Sequence, residues 1–494
     1  MQATQPTRSH LKAQPGFGYE RHKPEESDLY QVIAQHWPAF QNQLSEADVF
    51  LPRFIQTEFQ SYLRCGLLKH GFMRVKCNGC RFEHLVAFSC KMRGFCPACG
   101  ARRMVETAAH LIDHVLPEVP IRQWVLSFPW PLRFLFAREP GALSRCLTVI
   151  IRALETDLIK RAGLNRASGA KGGTVTLIQR FGSAVNLNIH THLLVLDGVY
   201  TTDETGNPKF HRVKAPTQKQ MDTLLERMVQ RVIRTLERDG WLVADEQQPW
   251  LDLQDREPLD SLNAASIQYT IALGPGKGNR TLTIHNPALV RPDHPAKALT
   301  SNQNGFSLNA AVACQPHQRD KLERLCRYVT RPAICLERLT LRADGQVQYQ
   351  LKHPFRDGTT HILFSPLDFI GKLVALVPKP RHNLVRYHGV LAANAKLRKY
   401  IVPASVRTKP ATKRKADHKK DKPTTDTREQ DTPIAPLTWA QRLKRVFDID
   451  ITICPKCGGR LRIIADITDP VVINKILNHI ARAPPGNQQA LFTG

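Results

Sequence analysis

The run Asn186-Leu187-Asn188-Ile189-His190-Thr191-His192-Leu193-Leu194-Val195-Leu196-Asp197-Gly198 constrains this chain more than any other. Read as a β-strand, it puts Asn186, Asn188, His190 and His192 on one face and Leu187, Ile189, Thr191, Leu193 and Val195 on the other. Two imidazoles are thus offered side by side on an otherwise well-formed strand. Such a pair suits one divalent metal ion, and it equally suits two histidines that only satisfy local hydrogen bonds.

The elements around this run set the fold class. Arg122-Gln123-Trp124-Val125-Leu126-Ser127-Phe128-Pro129 reads as a buried strand ended by proline. Ala142 to Leu164 has helical apolar spacing, Thr174 to Phe181 and Asn186 to Leu196 read as a hairpin, and Met221, Leu224, Leu225, Met228, Val232 and Leu236 mark another helix. The order strand, helix, strand, strand, helix predicts an α+β domain, an antiparallel sheet with backing helices, over residues 115–402. Before it, residues 1–50 read as a partly ordered arm anchored by Trp37 and Phe40. From Leu51 to Leu67 an amphipathic helix leads into a small zinc-binding domain spanning 51–112.

Zinc is suggested by cysteine spacing. Six of the 12 cysteines form Cys-x-x-Cys pairs, Cys77/Cys80, Cys96/Cys99 and Cys454/Cys457, and in a long chain without a secretory signal such pairs read as metal ligands. The first two pairs are expected to make one closed structural site of Cys77, Cys80, Cys96 and Cys99, with Cys90 as a substitute for one of the four. Cys65, Cys146, Cys314, Cys326 and Cys335 read mostly as small core residues. The pair Cys454/Cys457 supplies half of a possible second site. Its missing ligands are left to His479, to another part of the fold, to a second chain, or to none.

Charge points to a polyanion. Seventy Lys and Arg against 43 Asp and Glu give a formal net charge of +27, which favours nucleic acid as the partner. Arg74, Lys76, Arg81, Lys91, Arg93, Arg102 and Arg103 crowd the first cysteines, and Arg102 and Arg103 are candidate DNA contacts. Residues 403–436 read as a basic disordered linker, since 407–433 contain no Val, Ile, Leu, Met, Phe, Tyr or Trp, and Arg407 to Lys422 holds eight Lys and Arg against two Asp. The Cys-x-x-Cys region follows over 437–494. No apolar run is long enough to span a membrane and no leader is evident, so a cytoplasmic, nucleoid-associated protein is expected.

One further element carries chemistry. Arg319 to Thr330 reads as a short helix with Leu322, Leu325, Cys326 and Val329 on its apolar face, and Tyr328 projects off that face towards Lys321, Arg324 and Arg327. A tyrosine so placed is either an amphipathic boundary residue or a nucleophile favoured by nearby cations.

Taken together, Gln179-Arg180-Phe181-Gly182-Ser183-Ala184, the histidine run through Leu196-Asp197-Gly198-Val199-Tyr200, and Leu325-Cys326-Arg327-Tyr328-Val329-Thr330-Arg331-Pro332 resemble the HUH transposases of rolling-circle insertion sequences of the insertion sequence 91 type. The Cys-Pro-x-Cys module and Arg356-Asp357-Gly358-Thr359-Thr360-His361 fit the same family. The resemblance implies an HUH endonuclease-like fold and a DNA transposase that nicks and joins single-stranded DNA through a covalent 5′-phosphotyrosine. It further implies Tyr328 as the nucleophile and His190 and His192 as ligands of Mg²⁺ or Mn²⁺, beside structural Zn²⁺. A third ligand is open between Gln179, whose strand would pair beside the histidines, and Asp197. Arg327 and Arg331 are candidates for phosphate contact. Two residues depart from the family pattern. Thr191 stands where the family has a bulky apolar residue, and Arg324 stands where the founding group has a second tyrosine, which places the chain with the single-tyrosine branch. The rival readings are a non-catalytic zinc-dependent DNA-binding protein and a metal-dependent nuclease that uses water.

Overall fold

The computed structural model describes residues 23–243, 250–251, 253, 257–290, 298–403 and 452–481. The basic segment 407–433 and the apolar residues from Trp439 to Ile449 lie outside them.

A six-stranded antiparallel sheet carries the histidine run. Its order is Thr300–Gln303, Phe306–Cys314, Ile121–Ser127, Leu187–Leu196, Gly173–Phe181 and Val385–Gly389, so Leu187–Leu196 has a long strand on each side. Alternation along this strand sends its two faces into different cores. Ile189, Leu193 and Val195 pack with Trp124, Leu126 and Ile178 against the helices Pro140–Arg161 and Gln218–Arg238. Thr191 points the same way, lies between Leu126 and Ile178 in register, and is fully buried. Its β-branched shape suits a strand and its volume is close to that of valine, but its hydroxyl is buried in this apolar layer without a hydrogen-bond partner. Leu194 and Leu196, on the histidine face, pack with Val175 and Leu177 under Pro97–His114 and Arg319–Val329. The predicted α+β class, a helix-backed antiparallel sheet with a zinc-binding domain before it, is the observed one.

A second sheet, ordered Leu282–His285, Thr359–Phe364, Val347–Gln350 and Leu339–Leu341, packs with the helices Asp28–Glu46, Asp260–Gln268 and Pro366–Leu376. Of the segment 1–50, expected as a partly ordered arm, the described residues begin at 23, and from there on they differ from that reading. Within the segment, Asp28–Glu46 is a helix capped by Ser27 Oγ, and it buries Leu29, Val32, Ile33, Trp37, Phe40 and Leu44. Trp37 stacks on Phe59 with ring centroids 4.0 Å apart, so the segment belongs to the core. The polar residues of this helix, Gln35, Asn42 and Glu46 among them, occupy its outer face.

A third, three-stranded sheet is ordered Leu461–Ile467, Phe72–Cys77 and Glu83–Ala87. Its outer strand comes from the far end of the chain.

Three strands of the central sheet are tied by one buried ion pair. Arg122 Nε and Nη2 donate to the two carboxylate oxygens of Asp197 at 3.0 and 2.9 Å, and Nη1 donates to the Ala310 carbonyl at 2.9 Å. Removing one partner strands a charge in the interior. Arg122→Met is therefore expected to destabilise the fold by about 3–5 kcal/mol, and Arg122→Met with Asp197→Leu to recover most of that loss. Urea denaturation decides it: equal losses in the single and double variants would count against the pair.

Candidate functional site

Register brings the polar residues of the central sheet together. His190 lies opposite Gln179 on one side and Ser127 on the other, and His192 lies opposite Leu177 and Val125. The two imidazole centroids are 5.0 Å apart. His190 Nδ1–H donates to the Asn188 carbonyl at 2.9 Å, which leaves Nε2 with its lone pair. His192 Nδ1 lies 2.7 Å from Gln123 Nε2, and the Nε2 of His192 is buried without a hydrogen-bond partner. Burial, with repulsion from Arg331 and Arg133, pushes His190 down to about 4. Burial, with His190 and Arg331 beside it, pushes His192 down to about 3. Both rings are therefore neutral near pH 7, the state in which imidazole ligates a metal. An unpartnered buried Nε2 and two neutral imidazoles on one strand face fit a divalent ion.

Gln179 shares this face, with Nε2 3.5 Å from the Val329 carbonyl of the tyrosine helix. Asp197 does not: it is held by Arg122, away from the histidines. Gln123 was missed in the sequence, where the signal was a polar residue directly before the apolar run Trp124-Val125-Leu126.

The helix Arg319–Val329 buries Leu322, Cys326 and Val329 and leaves Tyr328 44% exposed. The Tyr328 ring stands edge-on to His192, with centroids 6.5 Å apart and planes at 83°. Cations surround it. The Arg331 guanidinium lies 4.4 Å from its ring centroid and Lys352 Nζ lies 5.1 Å away. Arg331 also donates to the Tyr328 carbonyl at 2.8 Å. Arg327 is partly exposed one residue before the tyrosine, and Arg324 is exposed one helical turn earlier. Tyrosines on neighbouring elements do not share this setting. Tyr349 is buried with its hydroxyl accepting from Cys335 N, and Tyr387 sits on the edge strand Val385–Gly389.

Beside Tyr328, a cavity of about 320 Å³ opens between the zinc-binding domain and the sheet, and Arg93, Arg103, Gln179 and Arg331 line it. Arg103 donates to the Lys91 and Met92 carbonyls and borders this cavity, whereas Arg102 pairs with Glu106 on the surface at 3.1 Å.

The cysteines are distributed differently from the expected single site of Cys77, Cys80, Cys96 and Cys99. Cys96 and Cys99 join Cys65 and Cys90, while Cys77 and Cys80 join Cys454 and Cys457. The hairpin Phe72–Cys77 with Glu83–Ala87 is the reason. Cys77 and Cys80 are at its tip; Cys65 and Cys90 flank its base, where Cys90 N donates to Cys65 Sγ at 3.2 Å. Five strand steps of about 3.4 Å put roughly 17 Å between tip and base, too far for one ion. At the base, Cys65 Sγ is 3.8 Å from both Cys96 Sγ and Cys99 Sγ, and Cys90 Sγ is 3.4 Å from Cys99 Sγ. Tetrahedral Zn²⁺ with bonds of about 2.3 Å needs sulfurs about 3.8 Å apart. The four thiols fit a closed structural site.

Residues 32–128 match the family described as "Transposase zinc-binding domain", and residues 173–399 match the family described as "Putative transposase". The chain belongs to the transposases of the insertion sequence 91 type. No curated protein and no solved structure matches it. The two matched regions contain the base thiolate cluster and the histidine–tyrosine constellation respectively. The transposase acts on DNA, and its cysteine clusters suit Zn²⁺. No helix among the described residues is long and apolar enough to cross a membrane.

The base cluster makes a direct prediction for the transposase. Cys65→Ser or Cys90→Ser is expected to lower bound zinc by about one ion per chain and to reduce thermal stability. Cys146→Ser, a change to a buried thiol outside both clusters, is expected to leave the zinc content alone, as metal analysis of the purified chains would report.

Proposed function

We propose that this transposase nicks and joins single-stranded DNA at the ends of its element through a covalent 5′-phosphotyrosine on Tyr328. The observation that carries the reading is the approach of Tyr328 to His192, at 6.5 Å between ring centroids, from elements more than a hundred residues apart in the chain. A boundary tyrosine with no chemical role would have no reason to stand beside two neutral imidazoles among cations.

His190 and His192 would hold Mg²⁺ or Mn²⁺ through Nε2, with Gln179 as the third ligand. When bound, the ion would polarise the scissile phosphate and stabilise charge on the leaving oxygen. Gln123 would fix the His192 ring: with its amide oxygen turned to Nδ1–H, Nε2 keeps its lone pair for a metal. Arg331 and Lys352, close to the Tyr328 ring, would draw the phosphate to the hydroxyl and offset its negative charge. Tyr328 Oη would form a bond to phosphorus as the bond from phosphorus to the 3′ oxygen breaks. The proton lost by the tyrosine is matched by one gained at the 3′ oxygen, giving a free 3′-hydroxyl. Since the phosphodiester is kept as a phosphotyrosine ester, a later 3′-hydroxyl can reverse the step and join strands without a nucleotide cofactor.

Arg103, with Arg93 at the cavity beside Tyr328, and Arg102 and Arg327 on the surface would contact the DNA backbone, consistent with the net charge of +27. The substrate would be met in the cytoplasm, at the nucleoid. Arg324 precedes Tyr328 by four residues, so one tyrosine would carry both nicking and joining.

Incubation with single-stranded DNA carrying the element end and Mn²⁺ tests the reading. The expected product is a protein–DNA adduct that survives denaturation, is lost in Tyr328→Phe, and forms about 10²-fold more slowly in Arg331→Ala. Cleavage without an adduct would favour a water-using nuclease, and binding without cleavage a DNA-binding regulator. An adduct that persists in Tyr328→Phe would sink the assignment of the nucleophile.

A further inference from the structure

We propose that Cys77, Cys80, Cys454 and Cys457 form a second structural zinc site, with ligands from both ends of the chain, that fastens the C-terminal region onto the N-terminal zinc-binding domain. The matched zinc-binding domain ends at residue 128, so half of these ligands lie far outside it.

The sulfur geometry is that of a shared ion. Cys77 Sγ lies 3.5 Å from Cys457 Sγ and Cys80 Sγ lies 3.6 Å from Cys454 Sγ, and all four atoms fall within 4.8 Å of one another. Disulfides would need about 2.05 Å, whereas sulfurs around tetrahedral Zn²⁺ are spaced by about 3.8 Å. The close contacts also run between the two Cys-x-x-Cys pairs, so neither pair closes on itself.

Backbone amides support thiolates on both sides. Gly79 N–H donates to Cys77 Sγ at 3.2 Å, Phe82 N–H to Cys80 Sγ at 3.5 Å, and Gly459 N–H to Cys457 Sγ at 3.4 Å. Each is a donor two residues after its cysteine, the arrangement of a tight turn aiming sulfur at an ion. Hydrogen bonds to the charged form favour the charged form. Two glycines keep the centre open. A Cβ on Gly459 would come within 3.1 Å of Cys77 Sγ and 3.2 Å of Cys457 Sγ, and one on Gly79 within 3.4 Å of Cys457 Sγ.

The surrounding backbone brings the two halves into register. Leu461–Ile467 pairs antiparallel with Phe72–Cys77, with Cys77 opposite Leu461, and Asn78 N–H donates to the Arg460 carbonyl at 2.9 Å. The helix Pro470–Ala481 packs against the turn Leu68–His70. This interface is thin. Ile463, Ile464, Val471 and Val472 remain exposed, so apolar burial alone gives the C-terminal strand and helix little hold. A four-thiolate ion supplies what that interface lacks.

The consequence reaches the basic segment. Residues 404–451 run between Val402, packed on the core beneath the tyrosine helix, and this site. The described residues on either side of that segment are thereby both held on the body that carries Tyr328.

Metal analysis of the full chain tests the proposal. About two zinc ions are expected in the unaltered chain, and about one in Cys454→Ser with Cys457→Ser. About one is also expected in Cys77→Ser with Cys80→Ser, and again about one in the quadruple variant, since all four ligands serve a single ion. Two ions retained by the C-terminal double variant, or none left in the quadruple variant, would overturn the shared site. A second readout does not depend on the N-terminal variants. With a protease site inserted after Thr425 in the full chain, the cut C-terminal piece should stay bound in the unaltered protein and elute separately in Cys454→Ser with Cys457→Ser. Release from both, or retention in both, would overturn the fastening role.

Discussion

The packing of Pro97–His114 against Arg319–Val329 is the contact on which the site depends, because it couples a metal-held module to the helix that carries the tyrosine. Cys96 immediately precedes the first helix and Cys99 lies in its opening turn, so two of the four clustered thiols sit where that helix starts. One residue later, Gly100 leaves room for Pro332, which follows the tyrosine helix; a Cβ on Gly100 would meet the proline at 2.7 Å. Further along, Ala108, Leu111, Ile112 and Val115 share a core with Leu322, Cys326 and Val329 over the sheet. An error in the zinc module would thus be transmitted as a shift of Tyr328 relative to His192, and in such sites a displacement near 1 Å is costly.

Electrostatics divide the labour within the site. The imidazoles are kept neutral by burial and by neighbouring arginines, while Arg331 and Lys352 stand over the Tyr328 ring, where in the proposed reaction they would attract phosphate. Arg331 thus both suppresses protonation of the histidines and, in the proposed reaction, would meet the anion. Arg180 takes no part in this, since it is buried and donates to the Ala375 and Leu376 carbonyls.

Where local pattern decides structure, the sequence was readable. Period-two alternation located Gly173–Phe181 and Leu187–Leu196, helical spacing located Gln218–Arg238 and Arg319–Val329, and the off-face placement of Tyr328 followed from 100° per residue. Where tertiary closure decides, it was not. Six cysteines in Cys-x-x-Cys pairs drew attention to one another, whereas Cys65 and Cys90, which have no such partner in sequence, complete a cluster because a hairpin base brings them together. Gln123 contacts His192 only through strand pairing between 121–127 and 187–196, and Lys352 reaches Tyr328 from another sheet. The helix Asp28–Glu46 was obscured by Pro38 and by a polar outer face, and its character was settled by the partners it buries against.

The pairing of Phe72–Cys77 with Leu461–Ile467 joins segments almost the whole chain apart. Ribosomes add roughly 5–20 residues per second, so the first strand waits about 20–80 s for its second neighbour. During that time its hydrogen-bonding edge is open to any other strand in reach. Lys76 on that strand is therefore suited to a second purpose, as a charge that discourages wrong pairing while the rest of the transposase is still being made.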